Sequence, residues 1–294
     1  MLVKYCFQQV RHSSLGIKTA GQVEKKVLPL DNQKYRYLRF RAIGNLEVSG
    51  FNGNWDGFPY EEFENSEPGY GYKSFIGKRA HLEHNSALKN RGAIGDLPDA
   101  YLNRLILPEG IQSWSSIGSK DHTEKRFSIL NMPGQRDGAI EVLMRLDLTR
   151  INDLEVDPDV RRKLAQLIKD IDSGKTLTCS MGTNCAKSVC SVCGNEAVYA
   201  VDYCNHLKSR KGSLHVVSAN EIRDLLDRES LRAEWLKHIV ASSFDVDEIL
   251  KGISNKGIAV RAGEINQGLS FFELSVVKTP AYIEASALEN LSKV

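Results

Sequence analysis

Five of the six cysteines of this 294-residue chain, Cys179, Cys185, Cys190, Cys193 and Cys204, fall within 26 residues, and His206 closes the cluster. Clustering of this kind in a reducing compartment points to metal rather than to disulfides. The inner spacing, Cys190-x2-Cys193-x10-Cys204-x-His206, is that of a zinc knuckle. Gly194 gives the backbone room to turn, and a second pair returns from a short hairpin. The bland alternative, buried free cysteines, requires four soft ligands to converge by chance. Cys185 is a fifth candidate able to replace His206. A closed four-ligand site folds its segment rather than activating water, so zinc is expected in a structural role within an insertion over 183–212.

The rest of the chain is ordinary in composition: 41% hydrophobic, 26% charged, with a formal net charge of +2. It is long enough for a real core and carries no apolar run near the roughly 18 residues that span a bilayer. A membrane protein and a generally polycationic nucleic-acid binder are therefore disfavoured. The first residues, MLVKYCFQQVRHSS, lack the apolar region and cleavage site of a secretory signal, and the reading is intracellular. Residues 1–45 hold nine Lys/Arg and two Asp/Glu, a local +7 that leaves −5 for the remainder. Such an arm can touch nucleic acid, although a solvated strand edge rich in Lys and Arg is the simpler reading.

Hydrophobic periodicity outlines one domain over 1–294 with one excursion. QKYRYLRFRAIG alternates at period 2 and reads as a half-buried strand feeding a Gly/Asn/Asp-dense loop, GFNGNWDGFPYEEF. In GAIEVLMRLDL, Ile140, Val142, Met144 and Leu146 share one strand face. DPDVRRKLAQLIKDIDSG is a helix: Asp157 caps it, Pro158 suits its first turn, and Val160, Leu164, Leu167, Ile168 and Ile171 form its apolar stripe before Gly174 ends it. The strand KTLTCSMG follows. Residues 213–255 read as helical, with core-facing stripes over 218–243. In FFELSVV, Phe272, Leu274 and Val276 are expected on one face and Phe271, Glu273, Ser275 and Val277 on the other, until Pro280 stops the strand. The fold class expected is α+β: a mostly antiparallel, barrel-like sheet wrapped by helices and bearing the zinc insertion.

Alternation on the TCSMG strand sends Leu177 and Cys179 one way and Ser180 the other. If Leu177 faces the core, Ser180 faces out of it, and Gly182 leaves space for a substrate backbone and a free N–H for an oxyanion. Cys179, the rival nucleophile, then reads as a buried inert thiol. A nucleophilic Ser needs a base. His84, ending a strand-like segment in HLEHN, is the candidate. His81 competes with it, and on a strand the two rings at i and i+3 face opposite sides. Glu273 lies on the polar side of an apolar strand, where a carboxylate needs a partner, and it can orient an imidazole as a third member. Taken singly, each has a plainer reading: a turn serine, a surface histidine, a solvated sheet face.

Together these residues resemble a family. The SMG strand after an amphipathic helix, the CSVCG…YCNHL insertion and the closing FFELSVVKTPA are similar to the prohead maturation proteases of tailed bacteriophages, whose fold is related to the herpesvirus assembly protease. NGNWDGF, SFIGKRAHLEH and the return RGAIGDL resemble the segment carrying that family's catalytic His, so the resemblance covers about residues 35–285, in the order His, Ser, then Glu-x-Ser-x-Val before Pro-Ala. It implies a serine endopeptidase that digests scaffold and trims major capsid proteins inside the immature head, in the host cytoplasm, before DNA packaging. It carries the base onto His84, the nucleophile onto Ser180 and the third member onto Glu273. The herpesvirus relatives use a second His as third member. His206 falls at a comparable distance after Ser180, but its place in the Cys cluster makes it a zinc ligand. The chain departs from zinc-bearing relatives in having Thr183 where a Cys often follows SMG.

Two other classes compete. One is a non-catalytic scaffold or virion component that reuses the protease fold and docks partner proteins through the basic arm; on any reading a homo-oligomer is a further expectation. The other is a zinc-ribbon nucleic-acid-binding protein, motivated by the Cys cluster and the following KSRKG. The net +2 and the scarcity of interleaved aromatic and basic residues count against it.

Overall fold

A computed structural model of the chain describes residues 2–4, 27–29, 31, 33–46, 51–106, 136–218, 220, 221, 224, 258–280, 285 and 287–290. In chain order its strands are β1 (Leu2–Lys4), β2 (Val27–Pro29), β3 (Tyr35–Gly44), β4 (Asp56–Gly57), β5 (Arg79–Leu82), β6 (Gly95–Ile106) and β7 (Arg136–Asp147). They continue with β8 (Thr178–Asn184), β9 (Lys187–Cys190), β10 (Glu196–Ala197), β11 (Leu214–Val217), β12 (Ile258–Arg261), β13 (Glu264–Gln267), β14 (Ser270–Val277) and β15 (Ala287–Asn290). Seven form the main sheet in the order β15-β3-β7-β6-β5-β14-β8. Every neighbouring pair is antiparallel except β5 and β14, which run parallel. The architecture is α+β, with a curled, half-barrel mixed sheet and few helices.

The periodicity of β7 explains its central place, because Ile140, Val142, Met144 and Leu146 are fully buried on the inner face. β3 departs from the half-buried expectation. It lies between β15 and β7, and four successive residues, Tyr37, Leu38, Arg39 and Phe40, are buried. Arg39 is accommodated by Glu141 on β7, 3.8 Å away, since a buried charge requires a partner. Arg39 is therefore not part of a solvated edge, whereas Lys34 is exposed and several of the basic residues of 1–45 lie outside the described residues.

Helix α2 (Pro158–Asp172) follows α1 (Tyr60–Glu64) and precedes α3 (Asn205–Ser209). The Asp157 carboxylate accepts from the N–H groups of Asp159, at 2.9 Å, and Val160, at 3.5 Å, satisfying donors that a helix start leaves free. Val160, Leu164, Leu167 and Ile171 pack into the core, and Gly174 takes a left-handed φ of 78° just beyond the end. Among the described residues α2 is the one α-helix longer than five residues, so the sheet is not wrapped by long helices there. Within 213–255, Leu214–Val217 is a strand paired with β12. Ser218 and Glu221 then exchange hydrogen bonds as a capping box. Most of the helical stretch expected over 218–243 lies outside the described residues. No helix of the described residues is long and apolar enough to cross a membrane. The loop expected over 50–63 contains β4 and the start of α1.

The cysteine segment builds a second layer. β10, β9, β13 and β4 form a four-stranded sheet, and Leu46, Val189, Val192, Leu207, Val217 and Ile265 enclose a small core of their own. Residues 183–212 are thus joined to the chain's later part through β13.

Candidate active site and metal-ligand cluster

The half-barrel is stitched shut at one end of β8 and open at the other. The Cys179 N–H donates to the Ala285 carbonyl at 3.1 Å, and the Ala287 N–H to Leu177 at 2.9 Å, while β15 pairs with β3. Beyond Cys179 a groove of about 550 Å³ opens, lined by Ser180 and Thr183 on β8, Ala42 and Ile43 on β3, and His84 and Glu273.

Register decides which side chains enter it. Ser180 pairs with Ser275 across β8 and β14, and Ser275 pairs with His81 across β14 and β5. Partners in a ladder share a face. Cys179, Leu274, Val276 and Leu82 form the opposite, core face, and burial pushes the Cys179 thiol far above its ordinary value. Ser180 is half-buried in the groove, where its hydroxyl makes no hydrogen bond among the described residues.

β14 carries a bulge between Phe271 and Glu273. An inserted residue reverses alternation on one side of it, so the even-numbered apolar face expected for this strand holds at Leu274 and Val276 and fails at Phe272. Phe271 joins Leu274 and Val276 in the core, stacked on Phe75 with ring centroids 4.2 Å apart, while Phe272 lines the groove. The space above Gly182, expected to receive a substrate backbone, holds protein side chains instead. An added Cβ would come within 2.6 Å of both Glu273 Cγ and the Phe272 ring.

His84 lies just past β5. Glu83 and His84 take left-handed φ values of 49° and 57°, so strand alternation ends at Leu82. The expectation that the His81 and His84 rings point to opposite sides fails for that reason, and the Glu273 charge acts on both. His84 Nδ1 is 2.6 Å from Glu273 Oε1. Glu273 is 2% exposed, whereas the His84 side chain is 44% exposed. The hydrogen bond to Glu273 raises the His84 pKa, against an opposing effect of burial. That bond occupies Nδ1 and leaves Nε2 as the unbonded nitrogen of a residue that lines the groove. Of the three expected residues, the structure bonds His84 to Glu273 and brings Ser180 into the same groove without a bond to either.

At the groove's other end the metal-ligand segment supplies a wall. The Lys211 ammonium lies 2.8 Å from both Asp56 and Glu264, the Tyr203 hydroxyl donates to Glu264 at 2.9 Å, and Tyr203, Asp56 and Glu264 line the groove. These residues escaped the sequence reading because no local pattern marks a contact between positions 56, 203, 211 and 264.

Cys190, Cys193, Cys204 and His206 offer ligand atoms that all lie within 4.8 Å of one another. His206 Nδ1 is 3.9 Å from Cys190 Sγ and 3.7 Å from Cys204 Sγ. A tetrahedral ion bound at about 2.3 Å to sulfur and about 2.0–2.1 Å to nitrogen separates neighbouring donors by roughly 3.5–3.8 Å, so the four residues fit a metal. Cys185 stands apart from this group. It lines the groove and packs against the main core, with its thiol pushed up to about 12 by burial. Cys193 is pulled well below the ordinary thiol range, chiefly by its hydrogen bond with Cys190, whose own thiol is pushed up.

Comparison with family models, with curated proteins and with solved structures returns no match for the chain.

Proposed function

We propose that the chain is a serine endopeptidase of the prohead maturation type, acting on scaffold and major capsid proteins inside an assembling viral head in the host cytoplasm. The observation that carries this reading is the 2.6 Å bond between His84 Nδ1 and buried Glu273 in the groove that also receives Ser180. A carboxylate behind an imidazole, with a free nitrogen facing a hydroxyl-bearing cleft, is the arrangement acyl transfer requires. His84 Nε2 takes the Ser180 proton as Oγ attacks the scissile carbonyl. Glu273 holds the resulting imidazolium, which then protonates the leaving amine. Water, deprotonated by the same imidazole, releases the acyl group from Ser180. The missing bond between Ser180 and His84 agrees with the looseness of catalytic contacts in unliganded enzymes.

The metal assigned to Cys190, Cys193, Cys204 and His206 is zinc in a structural role, because three thiolates and one imidazole complete a closed tetrahedral set. Placement of Ser180 in the groove counts against the non-catalytic reading. Use of Lys211, from KSRKG, in an internal ion pair counts against a nucleic-acid face there.

The test is incubation with the cognate scaffold and capsid proteins, with a fluorophosphonate probe in parallel. Expected are cleavage and covalent labelling at Ser180, both lost in Ser180→Ala while fold and zinc content persist. Cleavage by Ser180→Ala would overturn the assignment.

A further inference from the structure

Three buried polar atoms beside the candidate site have no hydrogen-bond partner among the described residues: Glu273 Oε2, Ser275 Oγ and His81 Nδ1. Their residues are 2%, 0% and 3% exposed. Buried polar groups are rarely left unpaired, and three on one sheet face share a cause.

Register brings them together. Ser275 and His81 are direct partners in the parallel β14–β5 ladder, and Glu273, two residues before Ser275 on the same face, partners Arg79. His84 lies three residues beyond His81. To reach His84, the Glu273 side chain must run toward the C-terminal end of its strand and pass over the Ser275–His81 pair. Its Oε1 ends on His84, and Oε2 is buried without a hydrogen-bond partner among the described residues.

The donor count is short by one. The Glu273 carboxylate accepts, and with His81 carrying its proton on Nε2 the bare Nδ1 accepts as well. The Ser275 hydroxyl supplies a single hydrogen for two acceptors. One water closes the set: it donates to Glu273 Oε2 and to His81 Nδ1 and accepts from Ser275, three bonds of the number typical for buried water.

We infer that His81, Ser275 and Glu273 bind one buried water, and that this relay makes His81 and Ser275 positioning residues for the base His84. The role in catalysis rests on the protease reading; the water site does not. A carboxylate held at one oxygen pivots freely about a soft terminal torsion. Holding both oxygens fixes the plane in which Oε1 meets the His84 ring, as partners behind a ligating or catalytic group do elsewhere. The charged groups acting on His81 are Glu273, Arg79 and His84; those acting on His84 are Glu273 and Glu83.

The experiment is a high-resolution crystal structure together with NMR titration of the His84 ring in the full chain, for wild type, His81→Leu, Ser275→Ala and His81→Asn. Expected is an ordered water within hydrogen-bond distance of all three atoms. His81→Leu and Ser275→Ala move the His84 titration to lower pH and reduce kcat roughly tenfold with KM unchanged, and His81→Asn, which restores an acceptor near Nδ1, recovers most of both. Ser275→Ala deletes one oxygen only, so it decides the matter if His81→Leu fails to fold. An unmoved His84 titration in Ser275→Ala, or no water at the site, overturns the inference. A shifted titration in a chain that hydrolyses nothing sinks the protease reading and leaves the water site standing.

Discussion

Gly182 and Glu273 face each other across the β8–β14 ladder, and the place where a side chain of residue 182 would start is 2.6 Å from Glu273 Cγ. The glycine is there because the carboxylate needs its space. Strand geometry itself accepts an alanine at this position, so Gly182→Ala acts by displacing Glu273 and Phe272. Overpacking of this kind costs about 1–3 kcal/mol, yet the larger effect is expected on the proposed hydrolysis, where a displacement of about 1 Å can cost about 100-fold. Thermal melting and peptide hydrolysis on the same preparation separate the two. Full activity in Gly182→Ala would show that the position of Glu273 does not matter.

The pH dependence of the His84–Glu273 pair has opposite signs for stability and activity. The folded state raises the His84 pKa. Stability from the pair is therefore fully present below the unfolded imidazole value and is lost as pH rises through the raised one. With the ring 44% exposed, that contribution is small. The proposed peptidase activity requires neutral imidazole and is expected to climb over the same interval. Glu273→Gln removes the stabilising bond, so the acid limb of kcat/KM moves to lower pH while kcat falls by about 10²–10⁴-fold. A pH profile of the variant superimposable on wild type would refute the pairing as the source of the limb.

The thiols are expected to react in an order set by their surroundings. After chelation, the part-exposed Cys193 and Cys204 are alkylated ahead of the fully buried Cys190 at neutral pH. Cys185, pushed up to about 12, and the buried Cys179 react last. Bound metal protects Cys193. The same chelation loosens the small core around Val189, Val192, Leu207 and Ile265, because metal binding there is folding free energy. Mass spectrometry of labelled peptides, with metal analysis of freshly purified protein, checks both; purified protein without zinc would remove the structural-zinc assignment.

Local pattern carried the elements whose burial is one-sided and regular. The stripe of α2, the inner face of β7 and the outward placement of Ser180 against the buried Cys179 all follow from period and capping. So does the convergence of Cys190, Cys193, Cys204 and His206, which are close in sequence. What failed depends on interruptions that period cannot register. The bulge at Phe272 reverses a face, and left-handed backbone at Glu83 and His84 turns a ring back toward Glu273. The parallel pairing of β5 with β14, which sets Ser275 beside His81, is a contact nearly 200 residues long in sequence.

Lys211 tests whether the metal-ligand segment and the groove are one mechanical unit. Burial alone lowers its pKa, but bonds to Asp56 and Glu264 more than offset that, and the net shift is upward. The ammonium thus stays charged between two carboxylates, each 2.8 Å away. Lys211→Met leaves Asp56 and Glu264 facing each other without a cation. The expected cost is about 1–3 kcal/mol, below that of a fully buried broken pair because the site is partly solvated. Removing one carboxylate as well, in Lys211→Met with Glu264→Gln, relieves the repulsion and recovers most of the loss, a coupling of about 0.5–3 kcal/mol in a double-mutant cycle. Denaturant melts of the four proteins settle it: additive losses would mean that Lys211 acts on each carboxylate independently, and that Tyr203 and the ligand segment are not held to the groove through this network.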